Sequence, residues 1–438
     1  MSKLALLFTV LLVTLSCWQS SSAEDLKEVY RLAFENDAEL MIAESNYLAA
    51  IQALPLAQSG NRPQVFFNAD GRITESDSSN TGNNGSNNIG YSVNLTQSLY
   101  NTVTDGDINI AEANTRAELA RLQAARQSLI LRVSETYFSI LAAGDNAEFA
   151  YAERNAIARQ LEEAQKRFEV GLIAITDVHE AQASFDNAEA QVILAENILE
   201  NSFQALIVLT ADTSIRDLAP LGEDLKLSLP NPITVQAWVL LALENNLDLR
   251  AAQESLNAAR YERDKNYRNR NPTVDAFASY GGRDSNDDLL GDSQQDDLTI
   301  GIELQIPLYK GGRIPAERSQ ADSRFRSAQN TTLLQTRLAA QQSRTAFLDV
   351  VSGISQVKAL EQAFESSRIA LEATQAGFEV GTRTSVDVLI SLRETYRTQR
   401  DYASARYQYV LNKLRLKQAA GILQEADLDD ANNSLVKQ

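Results

Sequence analysis

Two stretches of the chain alternate apolar and polar residues with the period of two that marks a half-buried strand. In the first, Ile89, Tyr91, Val93, Leu95 and Leu99 point one way while Gly90, Ser92, Asn94, Thr96 and Ser98 point the other. In the second, Leu298, Ile300, Ile302, Leu304, Ile306 and Leu308 alternate with Thr299, Gly301, Glu303, Gln305 and Pro307. Each has a weaker partner upstream: Val65, Phe67, Ala69 and Ile73, and Val274, Ala276, Ala278 and Tyr280. Between partners lie polar segments, 75–88 and 284–297, that read as outer loops. Strands of about ten residues with one apolar face suit a tilted bilayer crossing, apolar side to lipid and polar side to a lumen.

The rest of the pattern is helical. After Gly106, and again after Gly312, Ala-, Gln- and Arg-rich sequence carries apolar residues at threes, fours and sevens. Leu119, Leu122, Leu129, Val133, Tyr137 and Leu141 form one such series, and Phe347, Val351, Ile354, Val357, Leu360 and Phe364 another. That spacing describes a packed seam between neighbouring helices, as in a coiled coil. The first run covers roughly 60 residues, about 90 Å of helix, far more than a globular domain needs. The runs break near Gly171 and Gly381 and resume to about Leu209 and Ala420. Glycine accepts a positive φ, so these two positions mark hairpin tips. A further helix opens each half, from about Asp25 to Gln58 and from about Thr234 to Arg268.

One template is written twice. Phe168-Glu169-Val170-Gly171 recurs as Phe378-Glu379-Val380-Gly381, and Asp177-Val178 as Asp387-Val388, at an offset of 210. Leu99-Tyr100 returns as Leu308-Tyr309 and Pro63 as Pro272, at 209. The joint, 212–232, carries Pro220, Pro230 and Pro232, which break helical continuity. The expected layout is a signal peptide at 1–23, repeats at 24–228 and 229–421, and a tail at 422–438.

The signal peptide rests on Lys3, the apolar run from Leu4 to Leu15 and the small residues ending at Ala23. It contains Cys17, the one cysteine, so the mature chain has no thiol chemistry; Thr14-Leu15-Ser16 fits a lipid-attachment motif poorly. An apolar content of 44% is enough to build a core and argues against disorder. Beyond the signal no run of about 18 apolar residues appears, so a membrane crossing falls to the strands. A net charge of -18 excludes nucleic acid as a partner, because that binding rests on clustered Lys and Arg. With His179 the only histidine, no His cluster for zinc can form, and a Ser or Cys triad lacks a base unless His179 serves as it; its place in a helical pattern reads as an exposed helix residue, and no enzyme activity or cofactor is expected. Asp284, Asn286 and Asp288 open like a calcium loop, but Leu289 stands where its glycine belongs. Lys310-Gly311-Gly312-Arg313 lacks the spacing of a phosphate loop and reads as a strand-to-helix turn.

Four strands cannot close a barrel, and open edges in lipid leave backbone groups unsatisfied. Copies must share one. Two chains would make an eight-stranded barrel filled by its own side chains, and three a twelve-stranded barrel with an aqueous lumen; the polar inner face favours a homotrimer.

The segment LEEAQKRFEVGLIAITDV from Leu161 to Val178 and GFEVGTRTSVDVL from Gly377 to Leu389 resemble the TolC family of outer-membrane efflux and secretion channel proteins. The likeness runs through Glu24-Asp25-Leu26, Leu95-Thr96-Gln97-Ser98, Pro307-Leu308-Tyr309-Lys310-Gly311-Gly312 and Ala405-Arg406-Tyr407-Gln408-Tyr409. It implies an α+β membrane protein. Four strands per protomer would enter a trimeric 12-stranded outer-membrane barrel, continued by a long antiparallel coiled-coil tunnel in the periplasm of a Gram-negative cell. The function implied is a passive exit duct of tripartite efflux pumps or type I secretion systems, carrying drugs, toxic compounds or secreted proteins. Its periplasmic end would open like an iris when a periplasmic adaptor and an inner-membrane transporter of RND, ABC or MFS type dock. A secreted structural coiled coil or a periplasmic adaptor are the other classes; the alternating strands and the doubled hairpin oppose them.

The resemblance also implies roles. Arg167, Val170, Gly171 and Leu172, with Val380, Gly381 and Thr382, match the adaptor-docking tips. Asp387 matches a constriction residue that would form an acidic ring. Three residues on, where the best-known pattern has a second Asp, this chain has Ile390, an apolar collar on the same helix face. Thr176, Asp177 and Arg383 match a closed-state latch, while a family tyrosine is replaced by Phe378, which has no hydroxyl. The latch is therefore expected to lean on Arg383 with Asp177.

Overall fold

The computed structural model describes residues 23–78, 82–287 and 291–436. The signal segment with Cys17, and Asp288 and Leu289 of the calcium-like stretch, lie outside the described residues. In chain order the elements are α1 (Leu26–Asn36), α2 (Ala38–Ser59), β1 (Gln64–Ser78), β2 (Gly82–Tyr100), α3 (Thr102–Glu169), α4 (Ile175–Thr210), α5 (Val235–Asn245), α6 (Leu247–Tyr267), β3 (Thr273–Asp287), β4 (Gly291–Gln305), α7 (Arg313–Glu379), α8 (Ser385–Ala419) and α9 (Ala426–Asn432). The same order of two helices, two strands and a long hairpin occurs twice. The described residues fall into two compact units. One comprises 42–123 and 247–338 and holds the sheet; the other comprises 23–41, 124–246 and 339–436 and is helical.

The sheet unit has one antiparallel sheet in the order β1-β2-β3-β4, so the central pair β2 and β3 joins the two repeats and β1 and β4 are its edges. Register aligns the apolar faces of all four strands. Phe67, Val93, Tyr280 and Leu298 stand in one row, and Val65, Leu95, Ala278 and Ile300 in the next. On the opposite face a row reads Asn68, Ser92, Gly281 and Asp297. A one-residue slip in any strand would invert this separation. The apolar band also climbs across the rows: it ends at Leu298 on β4 but continues to Ile73 on β1, whose row reaches Asp292 on β4. Strands tilted against a flat lipid layer produce that diagonal.

The strands are longer than the alternation alone predicts. They have 15, 19, 15 and 15 residues, and the segments 75–88 and 284–297 read as loops are largely strand, leaving only 79–81 and 288–290 between partners. Asp284 and Asn286 accordingly sit in the β3–β4 ladder. Ladder hydrogen bonds do not require apolar side chains, so pairing persists where the pattern of burial has stopped. At the other end, Gly106 lies inside α3 and not before it, with the Lys265 stem packed where a Cβ would stand and its ammonium 2.8 Å from Asp107.

In the helical unit, the opening helix of each repeat is broken in two. Asp37 leaves the helical region (ψ 117°), and its carboxylate accepts the Leu40 N–H at 2.8 Å, restarting the helix as an N-cap. Asn246 (ψ 124°) makes the matching break and donates to the Ala419 carbonyl at 3.2 Å. Short polar side chains that bond nearby backbone are what allow such breaks. The core is aromatic: the Tyr137 ring meets Phe138 at 5.6 Å and Phe138 meets Tyr407 at 5.8 Å between centroids. The Tyr137 hydroxyl lies 2.8 Å from the Ala219 carbonyl, tying the proline-rich joint to α3.

The expected tail contains a packed helix, α9. Its Asn432 accepts the Leu26 N–H at 3.1 Å, its Asp429 pairs with Lys27 at 2.7 Å, and Leu428 and Ala431 are buried. Seven residues are too few to show a helical period in sequence. By length and composition alone, α4 is apolar enough to cross a membrane. Its apolar window is interrupted by acids, so no unbroken run appears, and Ala181, Ala188, Val192 and Ala195 are buried against other helices.

Candidate functional site

The two hairpin tips lie in the helical unit. At the first, Gly171 takes φ 76° and donates to the Phe168 carbonyl at 2.8 Å, while Leu172 N–H reaches back to the Arg167 carbonyl at 2.9 Å. At the second, Gly381 takes φ 79°, donating to Phe378 at 3.1 Å, and Thr382 reaches the Gly377 carbonyl at 2.8 Å through its N–H and 3.0 Å through its hydroxyl. A side chain at either glycine would be strained in that left-handed region. These caps satisfy the last carbonyls of α3 and α7 and reverse the chain. They also leave Val170, Leu172 and Val380 exposed at 69%, 73% and 76%.

The second tip leads into α8 through a capping box. Thr384 accepts the Asp387 N–H at 3.2 Å, and the Asp387 carboxylate accepts the Thr384 N–H at 2.9 Å and its hydroxyl at 3.0 Å. These bonds, first from the backbone and then from the hydroxyl, together with the positive charge of Arg383, hold Asp387 below the usual carboxylate range. The acid is thus pinned in place and kept ionised. One turn on, Ile390 is 61% exposed and edges a cavity of about 560 Å³ shared with Glu153, Ser184 and Arg393.

Within one chain the residues of the expected latch are placed apart. Thr176 and Asp177 occupy the first turn of α4, where the Asp177 N–H bonds Ala174 O at 3.2 Å. Among the described residues no ion pair joins Asp177 to Arg383 within the chain; Arg383 instead lays its stem against Gly377 and its charge near Asp387. Phe378 is buried, and the Arg167 guanidinium stands 4.1 Å above its ring. Arg167, matched to the docking tip, and Phe378, matched to the latch, are therefore in contact.

Three further pairs had no signal in the sequence, since each joins distant positions. Arg132 brackets the Asp37 carboxylate at 2.8 and 2.9 Å. The Tyr407 hydroxyl donates to Asp145 at 2.6 Å, and burial pushes both groups upward, Asp145 being partly offset by that bond. Arg400 pairs with Glu153 at 2.9 Å, fixing α8 against α3. Below them the seam closes with Ala156, Ile157, Leu161, Ala181, Leu389 and Leu392 in one apolar cluster drawn from both hairpins.

Comparison with known proteins agrees with this architecture. The family model described as outer membrane efflux protein matches residues 29–212 and again 238–422, once per repeat. The chain is 37% identical to the outer membrane protein TolC of Vibrio cholerae, over 94% of each protein. It is 33% identical to that of Escherichia coli, over 95% of this chain and 86% of the other. It is 28% identical to the alkaline protease secretion protein AprF of Pseudomonas aeruginosa, over 94% and 87%. Among solved structures, the Campylobacter jejuni CmeC outer membrane channel superposes with a TM-score of 0.80 at 16% identity, over 96% of this chain and 94% of that one. The Vibrio cholerae outer membrane protein VceC does so with 0.76 at 20% identity, over 90% and 96%.

Proposed function

Because the chain belongs to the outer membrane efflux protein family and is an outer-membrane exit duct for efflux and secretion, we propose that three copies build it as a homotrimer. The carrying observation is the four-stranded sheet with aligned apolar faces and two open edges. Pairing β4 of one copy with β1 of the next satisfies both edges, and three such joints make twelve strands around an aqueous lumen. Polar rows then line the passage and the apolar rows meet lipid. Exposed Ile193, Leu194 and Ile198 on α4, and Leu348 and Ile369 on α7, supply apolar surface for neighbouring helices of the tunnel.

The helical end works as the gate and as the docking site. The tips at Val170, Gly171, Leu172, Val380, Gly381 and Thr382 receive a periplasmic adaptor, with an inner-membrane transporter supplying cargo. Three Asp387 side chains form the acidic ring of the constriction, with Ile390 as its apolar neighbour. Arg383 reaches Thr176 or Asp177 across a protomer boundary, which accounts for the missing pair within one chain. Conduction is passive, and no step of it needs catalysis. Membrane fractionation followed by semi-native electrophoresis tests the reading: a heat-dissociable trimer in the outer membrane is expected. A soluble monomer would overturn it. Crosslinking from cysteines placed at Val170 and Val380 would then identify the adaptor.

A further inference from the structure

The two hairpins of the helical unit meet along α3, α4 and α8 through the apolar cluster that ends at Leu161 and Ala164 on one side and Leu389 on the other. Closer to the tips, the two are joined by the guanidinium of Arg167, on α3, over the ring of Phe378, on α7. We infer that this cation–ring contact is the clasp that keeps each protomer's hairpins closed in this chain, doing by stacking what a ring hydroxyl cannot do here. The inference rests on the duct reading and names the residues that regulate its mouth.

The bland account of Arg167 is a cation at a helix C-terminus, favoured by the helix dipole and paired four residues back. Its neighbour Lys166 meets that description fully: it pairs with Glu162 at 2.6 Å, with both side chains largely in water. Arg167 makes the same kind of pair, with Glu163 at 2.6 Å, yet its side chain is only 29% exposed and its guanidinium carbon stands over a ring of the other hairpin. The carboxylate takes one end of the guanidinium while its central carbon stays over the ring. A planar guanidinium can do both at once, whereas an ammonium acts as a point charge.

The internal repeat provides a control. Phe168 and Phe378 stand at the same place in the two Phe-Glu-Val-Gly motifs, yet Phe168 is 41% exposed and Phe378 is 8%. The position matching Arg167 is Gly377, against which the Arg383 stem packs, so the second tip carries no cation at that place. Tip geometry alone therefore buries neither ring. The cation comes from one copy of the template and the covered ring from the other, so separating the hairpins must break the contact.

A contact of this kind shifts an equilibrium by roughly two- to thirty-fold, and in a trimer it would be broken three times. The test is single-channel conductance of the purified full chain in planar bilayers, with heat-resistant trimer on semi-native gels as the folding control. Arg167→Gln and Phe378→Leu are each expected to raise basal open probability severalfold. The double variant should go no further than either alone, because both remove one interaction. Phe378→Tyr should stay closed, since it keeps the ring. Additive effects of the two substitutions, or a Phe378→Leu channel as closed as wild type, would overturn the clasp while leaving the duct intact. A heat-resistant trimer that forms no pore in the wild type or in any of these variants would overturn both.

Discussion

Replacing Arg132 with Met tests the most deeply placed charge in the helical unit. Asp37 is 3% exposed and receives the Leu40 N–H and two Arg132 nitrogens, all within 2.9 Å. Without the guanidinium its carboxylate keeps only the Leu40 N–H among these bonds, in a site closed to water. Removing one partner of a buried pair costs about 3–5 kcal/mol, and since a quarter of the Arg132 side chain is exposed, about 3 kcal/mol is the expected loss. Asp37→Asn should be milder, about 1 kcal/mol, because the amide oxygen still caps α2 and Arg132 still lies 3.4 Å from Glu39. The double variant carries no stranded charge and must be more stable than Arg132→Met alone. Thermal unfolding of the detergent-solubilised protein, followed by far-ultraviolet circular dichroism, ranks the four. The expected order from most to least stable is wild type, Asp37→Asn, double variant, Arg132→Met. If Arg132→Met melts at or above the double variant, the stranded-charge reasoning is wrong.

If Asp387 forms the proposed acidic ring, Ile390→Asp adds a second one a turn away, and bilayer recordings should show the half-blocking concentration of a divalent cation falling roughly tenfold or more. An unchanged value would remove Ile390 from the constriction. Asp145→Asn keeps an acceptor for Tyr407. Burial raises the Asp145 pKa, so its contribution to stability is fully present below the unfolded carboxylate pKa and is lost as pH rises through the folded one. The variant should therefore melt higher than wild type at neutral pH, with the gain vanishing under acidic conditions; a pH-independent difference would contradict this. On the sheet, Ile300→Lys puts a charge on the face assigned to lipid, costing about 2–4 kcal/mol near the bilayer midplane, while Thr299→Lys faces the lumen. Outer-membrane yield should fall for the first substitution and hold for the second, and equal yields would mean that the faces are misassigned.

Much of this protein was legible along the chain. Period-two alternation located the central part of every strand and its lipid face, because burial by lipid acts on each side chain separately and leaves its mark residue by residue. Gly171 and Gly381 showed as tips because only a left-handed residue closes those turns. The doubled motifs disclosed the repeat. What sequence could not show was governed by partners far apart in it. The true strand lengths follow from backbone pairing that is indifferent to side chain, and the breaks at Asp37 and Asn246 go with side-chain bonds to Leu40 N–H and the Ala419 carbonyl that residue type alone does not announce. The tail helix is held by contacts with Lys27 and Leu26 at the opposite end of the chain.

The mouth of the duct divides in the same way. Sequence by itself determined a set of strands with one apolar face, two hairpin tips, an acid at 387 with an apolar residue at 390, and a ring without a hydroxyl at 378. Only the tertiary structure decided what each of them touches. It bound Asp387 into a capping box, kept Arg383 from Asp177 within the chain, and laid Arg167 on Phe378. The physical reason is that composition and period report how a residue meets solvent, whereas a stacking contact across some 200 positions depends on the register in which two long helices pack.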